Sequence, residues 1–223
     1  LNAAIVSSSL GRTLRGPAGG DLIFHVPHPF QTLSNQVWIR DNAICGLTKA
    51  GMGTLLLNPN THNEYRGLTT INGGTLQTGN VAGRRYVSSS MLINPNGTYL
   101  HGNGDNNLDL TGITVNGGVL NLNGAGDSCP ALLLVNNGLS TGYNPSKTFT
   151  VGNSTTPLDA RWGQIDVQLN VPGGIVKTTD RKLVFSRDNT ITSDTRVEDG
   201  TLQVVNNATV NLGTLIVGTT TNN

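Results

Sequence analysis

The chain has 223 residues with a formal net charge of +1, and only 12% of its residues are charged and 4% aromatic. This composition, with 29 glycines, differs from that of a helical globular enzyme and suits short strands separated by tight turns. A near-zero net charge argues against a general nucleic-acid-binding protein. No apolar stretch approaches the roughly 20 residues that a membrane-spanning helix requires.

Residues 1–45 are predicted to form N-terminal coils with an irregular loop. The chain begins at Leu1, so we expect a processed form, an excised fragment or a chain without its true start. His25 and His28 lie in the irregular part. A zinc site would need further ligands, and none is apparent nearby. This segment is therefore predicted to be a packed or exposed loop and not a metal site.

Residues 46–134 contain an internal repeat of 44 residues. Residues 53–54 align with 97–98, and residues 70–74 align with 114–118, without a gap. Such a period is typical of solenoids, propellers or arrays. Each copy consists of short alternating strands with Asn-Gly or Gly-Gly between them, and no segment shows a helical period. Because the tryptophans do not recur with the period, a propeller is disfavoured. We predict a parallel β-helix with two coils per repeat and roughly ten coils in all.

Alternate residues of each coil are predicted to face a continuous apolar core, in which each side chain lies above its counterpart in the next coil. The repeat also places Asn72 and Asn116 at equivalent corners, where a side-chain ladder is expected. The predicted core residues are Leu55, Leu57, Ile71, Leu76, Val115, Leu120, Leu122, Val197, Leu202 and Val204.

Residues 135–223 are predicted to continue the β-helix with a third, diverged copy of the repeat. Residues 174–177 are similar to 46–49, and residues 197–203 are similar to 71–77. No segment in this part shows a helical period either. We therefore expect one all-β architecture along the whole chain.

The best-defined motif lies within residues 46–77. It reads G-L-T-K-A-G-M-G-T-L-L-L and, after a spacer, T-T-I-N-G-G-T-L-Q, and it resembles the autotransporter passenger-associated strand repeat. Residues 197–204 match the second half of that pattern. Residues 174–185 match its first half, with residues 178–181 in place of the glycine-rich segment. The resemblance implies a right-handed parallel β-helix in a large bacterial surface or secreted protein. It implies no chemistry, because such a repeat is a scaffold.

Candidates for a chemical site are few. β-Helix enzymes that cleave polysaccharides carry acidic residues on an outer face, and the candidates here are Asp105, Asp109 and Asp127. The segment from Asp105 to Asp109 is also similar to a single copy of a calcium-binding nonapeptide, but a hydrophilic turn is the favoured interpretation. A sugar-binding face would need several aromatic rings in register, which their irregular spacing disfavours. The aromatic candidates are Trp38, Tyr65, Tyr86, Tyr99, Tyr143 and Trp162.

The two cysteines, Cys45 and Cys129, exclude a disulfide-dense scaffold and a multi-cysteine metal site. They either pair with each other or remain buried thiols. The short basic clusters at residues 84–85 and 181–182 are predicted to be solvated turns. The sequence therefore predicts no catalytic, cofactor-binding or metal-binding residues, and no cofactor.

Strand-like segments open and nearly close the chain, and no amphipathic helix is predicted to cap either end. Uncapped coils leave backbone groups open to pairing, so we expect either head-to-tail self-association into a filament or continuation into further sequence. The predicted function is an extracellular structural or adhesive module at a bacterial cell surface, with host-surface or matrix glycans as partners and no nucleic acid. The alternatives are a carbohydrate-binding or carbohydrate-cleaving β-helix, and a stalk within a larger protein.

Overall fold

The computed structural model describes residues 3–5, 13–105, 108, 112–155 and 157–218. These residues form short parallel strands, each paired with strands of the neighbouring coils. The chain is an all-β solenoid of about 9 turns, so the predicted parallel β-helix of roughly ten coils is confirmed. Among the residues described, no helix has the length and apolar character to cross a bilayer.

Two ten-stranded sheets run along the solenoid, with strands numbered in chain order. The first sheet contains β1 (Ala3–Ile5), β4 (Thr32–Asn35), β7 (Thr54–Leu57), β9 (Gly74–Thr78), β11 (Gly97–Leu100), β13 (Val119–Asn121), β16 (Gly138–Thr141), β19 (Gly163–Ile165), β22 (Lys182–Phe185) and β25 (Thr201–Val204). The second sheet contains β3 (Asp21–His25), β6 (Gly46–Ala50), β8 (Thr69–Ile71), β10 (Met91–Ile93), β12 (Ile113–Asn116), β15 (Leu132–Val135), β18 (Leu158–Ala160), β21 (Ile175–Lys177), β24 (Thr195–Val197) and β27 (Leu215–Val217).

The third side of the solenoid is closed in two different ways. Near the N-terminus, β2 (Thr13–Arg15) pairs with β5 (Trp38–Arg40). The next coils have loops on this side, at residues 58–68, 79–90 and the described part of 101–112. The later coils contribute a third sheet of five strands, which are β14 (Asp127–Cys129), β17 (Phe149–Val151), β20 (Leu169–Val171), β23 (Asn189–Ile191) and β26 (Val210–Leu212).

The strand register confirms that one 44-residue repeat contains two coils. In the second sheet, Thr69 pairs with Met91, and Met91 pairs with Ile113. Each step along the axis therefore spans 22 residues in this part of the chain. The period of the sequence is twice the period of the structure.

The core consists of side-chain columns that run along the solenoid axis. Leu55 pairs with Leu76, which pairs with Tyr99, and all three are fully buried. Burying a large apolar side chain stabilises by roughly 1.5–3 kcal/mol. Leu202 is partly buried and packs against the core, as predicted. Val204 is 44% exposed, so its predicted burial is wrong, because no described strand stacks on β25. The other predicted core residues are buried, namely Leu55, Leu57, Ile71, Leu76, Val115, Leu120, Leu122 and Val197.

The corners between the second and first sheets carry the expected asparagine ladder. The side chain of Asn94 donates to Asn72 at 2.7 Å, and that of Asn116 donates to Asn94 at 3.0 Å. Asn136 continues the ladder by donating to Asn116 at 2.5 Å. The prediction for Asn72 and Asn116 is confirmed, and the alternate coils supply the two additional rungs.

Lys49 is a fully buried cation at the end of a strand in the second sheet. Its ammonium group donates to the carbonyl oxygens of Ala50 at 2.9 Å and Gly51 at 2.8 Å, at its own corner. It also donates to the carbonyl oxygen of Gly73 at 3.0 Å, at the corner of the next coil. These acceptors match the three donors of an ammonium group. Lys49 therefore clips two consecutive coils together.

Lys177 makes the same clip in the diverged copy of the repeat. It is fully buried, and its ammonium group donates to the carbonyl oxygen of Thr179 and, at 3.0 Å, to the hydroxyl of the same residue. A further hydrogen bond reaches the carbonyl oxygen of Asp199, on the next coil, at 3.2 Å. This copy lacks the glycines that follow Lys49 but retains the bridge between coils.

Candidate functional site

Buried polar side chains attach the loops of the third side to the stack. Asn63 has no exposed surface. Its amide oxygen accepts the N–H of Ile39 at 2.9 Å, and its amide nitrogen donates to the carbonyl oxygen of Tyr86 at 2.7 Å. Asn63 thus satisfies backbone groups on the coils before and after its own, as ladder hydrogen bonds do in a regular sheet.

Three tyrosines pack beneath these loops. Tyr65, Tyr86 and Tyr99 are fully buried. The hydroxyl of Tyr65 lies 2.8 Å from the hydroxyl of Thr69, and Val81 donates its N–H to the Tyr86 hydroxyl at 3.2 Å. Burial raises the pKa values of Tyr65 and Tyr99. These three rings do not reach the surface, so they cannot contribute to a sugar-stacking face.

A buried acid–base pair lies under the loop at 101–112. Nε2 of His101 is 2.8 Å from Oδ2 of Asp127, and the two side chains are 0% and 1% exposed. The Asp127 carboxylate also accepts the N–H groups of Leu108 at 2.9 Å and Ser128 at 2.7 Å. Placing Asp127 among acids of an outer face is wrong, because its position in β14 points into the core. It serves as an anchor for the loop.

Asp105 is engaged in hydrogen bonds with neighbouring coils. Its carboxylate pairs with the ammonium group of Lys147 and accepts the N–H of Gly126 at 2.9 Å. The hydrogen bond from Lys147 holds the pKa of Asp105 below its usual value. Asp109, the other acid of the candidate calcium turn, lies outside the described residues. Within the described ranges, no three His, Cys, Asp or Glu side chains are placed to hold a metal ion.

The histidines other than His101 lie at the surface. His28 is exposed in the loop beyond β3, as predicted. His25 is exposed too, but it is the last residue of β3 and pairs with Ala50, so the prediction of a loop is wrong there, because the ladder with β6 extends to it. His62 is also exposed, and its Nδ1 accepts the N–H of Arg85 at 2.9 Å. His62 therefore joins the loop at 58–68 to the loop at 79–90.

Both cysteines are buried free thiols, so they do not form a disulfide. The Cys45 thiol lies 3.7 Å from the carbonyl oxygen of Arg40, and the Cys129 thiol lies 3.4 Å from that of Ala131. Burial raises the pKa of Cys129 to about 12. A thiol in such an apolar environment is chemically inert at neutral pH.

Most carboxylates at the surface are paired with basic side chains. Exposed pairs of this kind contribute about 0–1 kcal/mol to stability, but they do neutralise the acids. The pairs, with their N–O distances, are Arg40–Glu64 at 3.5 Å, Arg66–Asp41 at 2.6 Å, Arg161–Asp159 at 2.9 Å, Arg187–Asp166 at 2.7 Å, Arg181–Asp180 at 3.5 Å and Arg196–Glu198 at 3.7 Å.

Arginine side chains cover the remaining candidate aromatic rings. Each guanidinium lies within the range of a cation–π contact, up to about 6 Å from the ring centroid. The rings belong to different sides and different coils, so they do not form one sugar-binding row. The three pairs are Arg40 over Trp38 at 4.8 Å, Arg181 over Trp162 at 5.3 Å and Arg187 over Tyr143 at 4.6 Å.

A shallow groove of about 350 Å³ runs over the outer face of the second sheet. Its lining is mainly apolar, and its one carboxylate, Asp159, is paired with Arg161. A catalytic pocket usually combines such a lining with several convergent polar groups. The polar side chains of this groove are the hydroxyls of Ser90 and Thr114 and the paired carboxylate of Asp159. The residues that line it include Leu68, Leu92, Ala131, Leu133, Pro157 and Asp159.

Comparison with known proteins agrees with this architecture. The passenger-associated-transport-repeat family matches residues 47–78 and 175–204. These two segments contain Lys49 and Lys177, the buried lysines that bridge consecutive coils. The adhesin BmaC autotransporter of Brucella suis biovar 1 is 30% identical over 152 residues, which are 68% of this chain and 4% of that adhesin. No solved structure matches the chain. The resemblance found in the sequence is thus confirmed, because two segments of the chain match the passenger-associated-transport repeat.

Proposed function

We propose that this chain is an extracellular adhesive module of a bacterial surface protein, a stiff and non-catalytic solenoid that presents the loops of its third side to a partner. The observation that carries the proposal is the attachment of those loops. Asn63, Tyr86 and the His101–Asp127 pair hold them to the stack through buried hydrogen bonds. Loops held on a rigid scaffold are a common arrangement for binding.

The chemistry of the surface supports a role without catalysis. Glycoside cleavage requires two carboxyl groups on either side of the scissile bond, one of them a proton donor. Here the surface acids of the described residues are mostly paired with arginines, and the pair of His101 and Asp127 is buried away from solvent. The carboxylate in the groove on the second sheet, that of Asp159, is paired with Arg161. A carbohydrate-cleaving function therefore finds no support among the described residues.

The relatives support the extracellular location. The matched adhesin is an autotransporter by name, and the chain spans about 4% of its length. We infer that this chain is likewise displayed on a bacterial surface, as part of a passenger. In such a passenger, other segments would contribute to binding as well, so the proposal concerns this chain alone.

Adhesion of coated beads tests the proposal. Beads carrying the chain should attach to host epithelial cells or extracellular matrix, and Val81→Asp should reduce attachment because Val81 is 46% exposed on the loop at 79–90. Val184→Asp provides the matched control, since Val184 is an outward residue of the regular strand β22. Equal attachment by all three proteins, or none by the parent chain, would contradict the proposal. Release of sugars from the matrix would favour an enzyme instead.

A second candidate function is assembly through the C-terminal coil. The inward columns end there with uncovered apolar side chains, since Leu215 is 51% exposed and Val217 75% exposed. A further coil stacked on β27 would bury them, and either a second copy or additional coils of the same polypeptide would supply it. Sedimentation velocity over a range of concentrations tests self-association. A single species at every concentration would rule it out for this chain.

A further inference from the structure

Charge is distributed unevenly along the solenoid. The first 90 residues contain seven Lys and Arg against three Asp and Glu, a net charge of +4. The remaining residues contain seven basic against ten acidic side chains, a net charge of −3. The overall charge of +1 conceals this polarity, which points to an acidic partner for the N-terminal part.

The third side concentrates this positive charge. Arg15 and Arg40 are direct partners in the pair β2–β5, and both side chains are exposed. Neighbouring strands lie about 4.8 Å apart, so two cations face solvent one coil apart. Like charges directly opposite each other on a sheet destabilise it. Glu64, 3.5 Å from Arg40, partly compensates them.

Two more arginines lie on the third side in the loop at 79–90, two coils beyond β5. Arg85 donates its N–H to His62, which lies on the coil beyond β5, and is half-buried. The guanidinium of the neighbouring Arg84 donates to the carbonyl oxygen of Pro59 at 3.0 Å, which holds it against the adjacent loop. We call Arg15, Arg40, Arg84 and Arg85 the arginine ridge. It extends along the solenoid axis.

We propose that the arginine ridge binds an acidic linear polysaccharide, whose sulfate or carboxylate groups lie along the solenoid axis. This proposal rests on the adhesive function and names the chemistry of its partner. Arg15 and Arg40 are one coil apart, a spacing comparable with the length of one sugar residue, so they can meet neighbouring anionic groups of such a chain. Arg84 and Arg85 lie two coils beyond Arg40 and can meet a later group of the same chain. Guanidinium is suited to these anions because it donates two parallel hydrogen bonds to sulfate or carboxylate oxygens.

Single-stranded nucleic acid fits this surface less well. Such binding relies on aromatic rings on which bases stack. The aromatic side chain beside the ridge is Trp38, and its ring is covered by Arg40 at 4.8 Å. A polysaccharide needs no free ring face and pairs with the cations alone.

Binding to immobilised dextran sulfate over a series of salt concentrations tests the proposal. Replacing both stacked arginines, R15Q/R40Q, should weaken binding about tenfold and reduce the slope of log K against log salt by about two, one for each cation removed. Glu64→Gln should strengthen binding, because it removes the carboxylate that is paired with Arg40. Removing stacked like charges should leave stability unchanged or improve it, which thermal unfolding checks.

Arg181→Gln is the matched control. Arg181 also covers a tryptophan, Trp162, and lies 3.5 Å from a carboxylate, that of Asp180, but it belongs to the acidic part of the chain. Its replacement should leave affinity and salt slope unchanged. Equal losses in the control and in R15Q/R40Q, or no binding by the parent chain, would overturn the ridge as a specific site.

Competition distinguishes the sources of negative charge. Dextran sulfate and hyaluronan in solution should displace the chain, whereas uncharged dextran should not. Stronger displacement by a single-stranded oligonucleotide than by dextran sulfate would overturn the proposal in favour of nucleic acid. If coated beads adhere but the chain does not bind dextran sulfate, the adhesive function is supported and the arginine ridge is contradicted as the binding site. If the chain binds dextran sulfate but coated beads do not adhere, the arginine ridge is supported as a binding site and the adhesive function is contradicted.

Discussion

The two parts of the solenoid close the same third side with opposite chemistry. In the later coils the third sheet stacks apolar side chains inward, and Phe149 pairs with Leu169 in register, both almost fully buried. Its outward positions are polar and uncharged, as at Thr150 and Asn170. Apolar burial is non-directional and divided over many contacts. This part should therefore lose stability gradually with the volume of side chain removed.

The earlier coils use directional contacts where the third sheet is missing. Asn63 bridges two coils through its amide, and His101 meets Asp127 beneath the next loop. A buried polar group left without its partner costs more than the bond itself contributes. The loop-bearing part should therefore depend on a few residues whose removal has local consequences. The comparison teaches that a solenoid can interrupt a sheet if buried polar groups take over its hydrogen bonds.

The largest expected effect tests the apolar part. Phe149→Ala should lower the free energy of unfolding by about 3–5 kcal/mol, because Phe149 is only 1% exposed and its truncation leaves a cavity in the core. Thr150→Ala, at the adjacent outward position, should change it by less than about 0.5 kcal/mol. Hydrogen exchange is the appropriate measurement, since coils of a solenoid can open separately. Similar losses for the two variants would contradict the distinction between inward and outward positions.

The next effect tests the polar part. Asp127→Ala leaves His101 and the Leu108 N–H without their acceptor, and should cost about 2–3 kcal/mol. Asp127→Asn retains an acceptor oxygen and should cost less. The loss of hydrogen-exchange protection should be confined to the loop at 101–112 and its neighbouring coils. A loss spread evenly over all coils would show that the pair is not a local anchor.

The regular coils could be predicted from the sequence, because the alternation of apolar and polar residues and the repeat period define them. The inward position of Leu55 and Leu76 follows from alternate spacing, and the equivalence of Asn72 and Asn116 follows from the repeat. Burial fails at Val204 because alternation gives the direction of a side chain and not what covers it. Asn94 was not predicted as part of the ladder, because the 44-residue repeat spans two coils and therefore aligns only every second corner.

The loops were not accessible in the same way. Tyr65 and Asp127 lie in or beside segments without regular alternation, so the sequence does not say whether they point inward. The stacking of Arg15 on Arg40 joins residues 25 apart, whereas Thr69 and Met91 are 22 apart. Coils of unequal length conceal such pairs until the register is known. The bridging role of Lys49 could not be predicted, because it depends on the positions of carbonyl oxygens on two coils, which a sequence motif does not give.

A smaller effect tests the asparagine ladder, which spans both parts. Asn94→Ala removes a donor to Asn72 and an acceptor for Asn116, and should cost about 1 kcal/mol because the ladder is partly solvated. Asn170→Ala, on the outer face of the third sheet, is the control and should be nearly neutral. Chemical denaturation of both variants measures the difference. Equal stability of the two would mean that water replaces the ladder without loss.

The last prediction concerns a pH dependence of the contacts of Lys49. Burial lowers the pKa of Lys49 to about 8 from its ordinary value of 10.5. Between these values the unfolded chain binds more protons than the folded chain, so the contribution of Lys49 to stability rises with pH. The difference in unfolding free energy between the parent chain and Lys49→Met should therefore grow from pH 8 to 10.5 and stay constant below pH 7. Lys182→Met, at an exposed position of β22, is the control. A difference for Lys49→Met that falls with pH would mean that the three carbonyl acceptors stabilise the ammonium more than burial destabilises it.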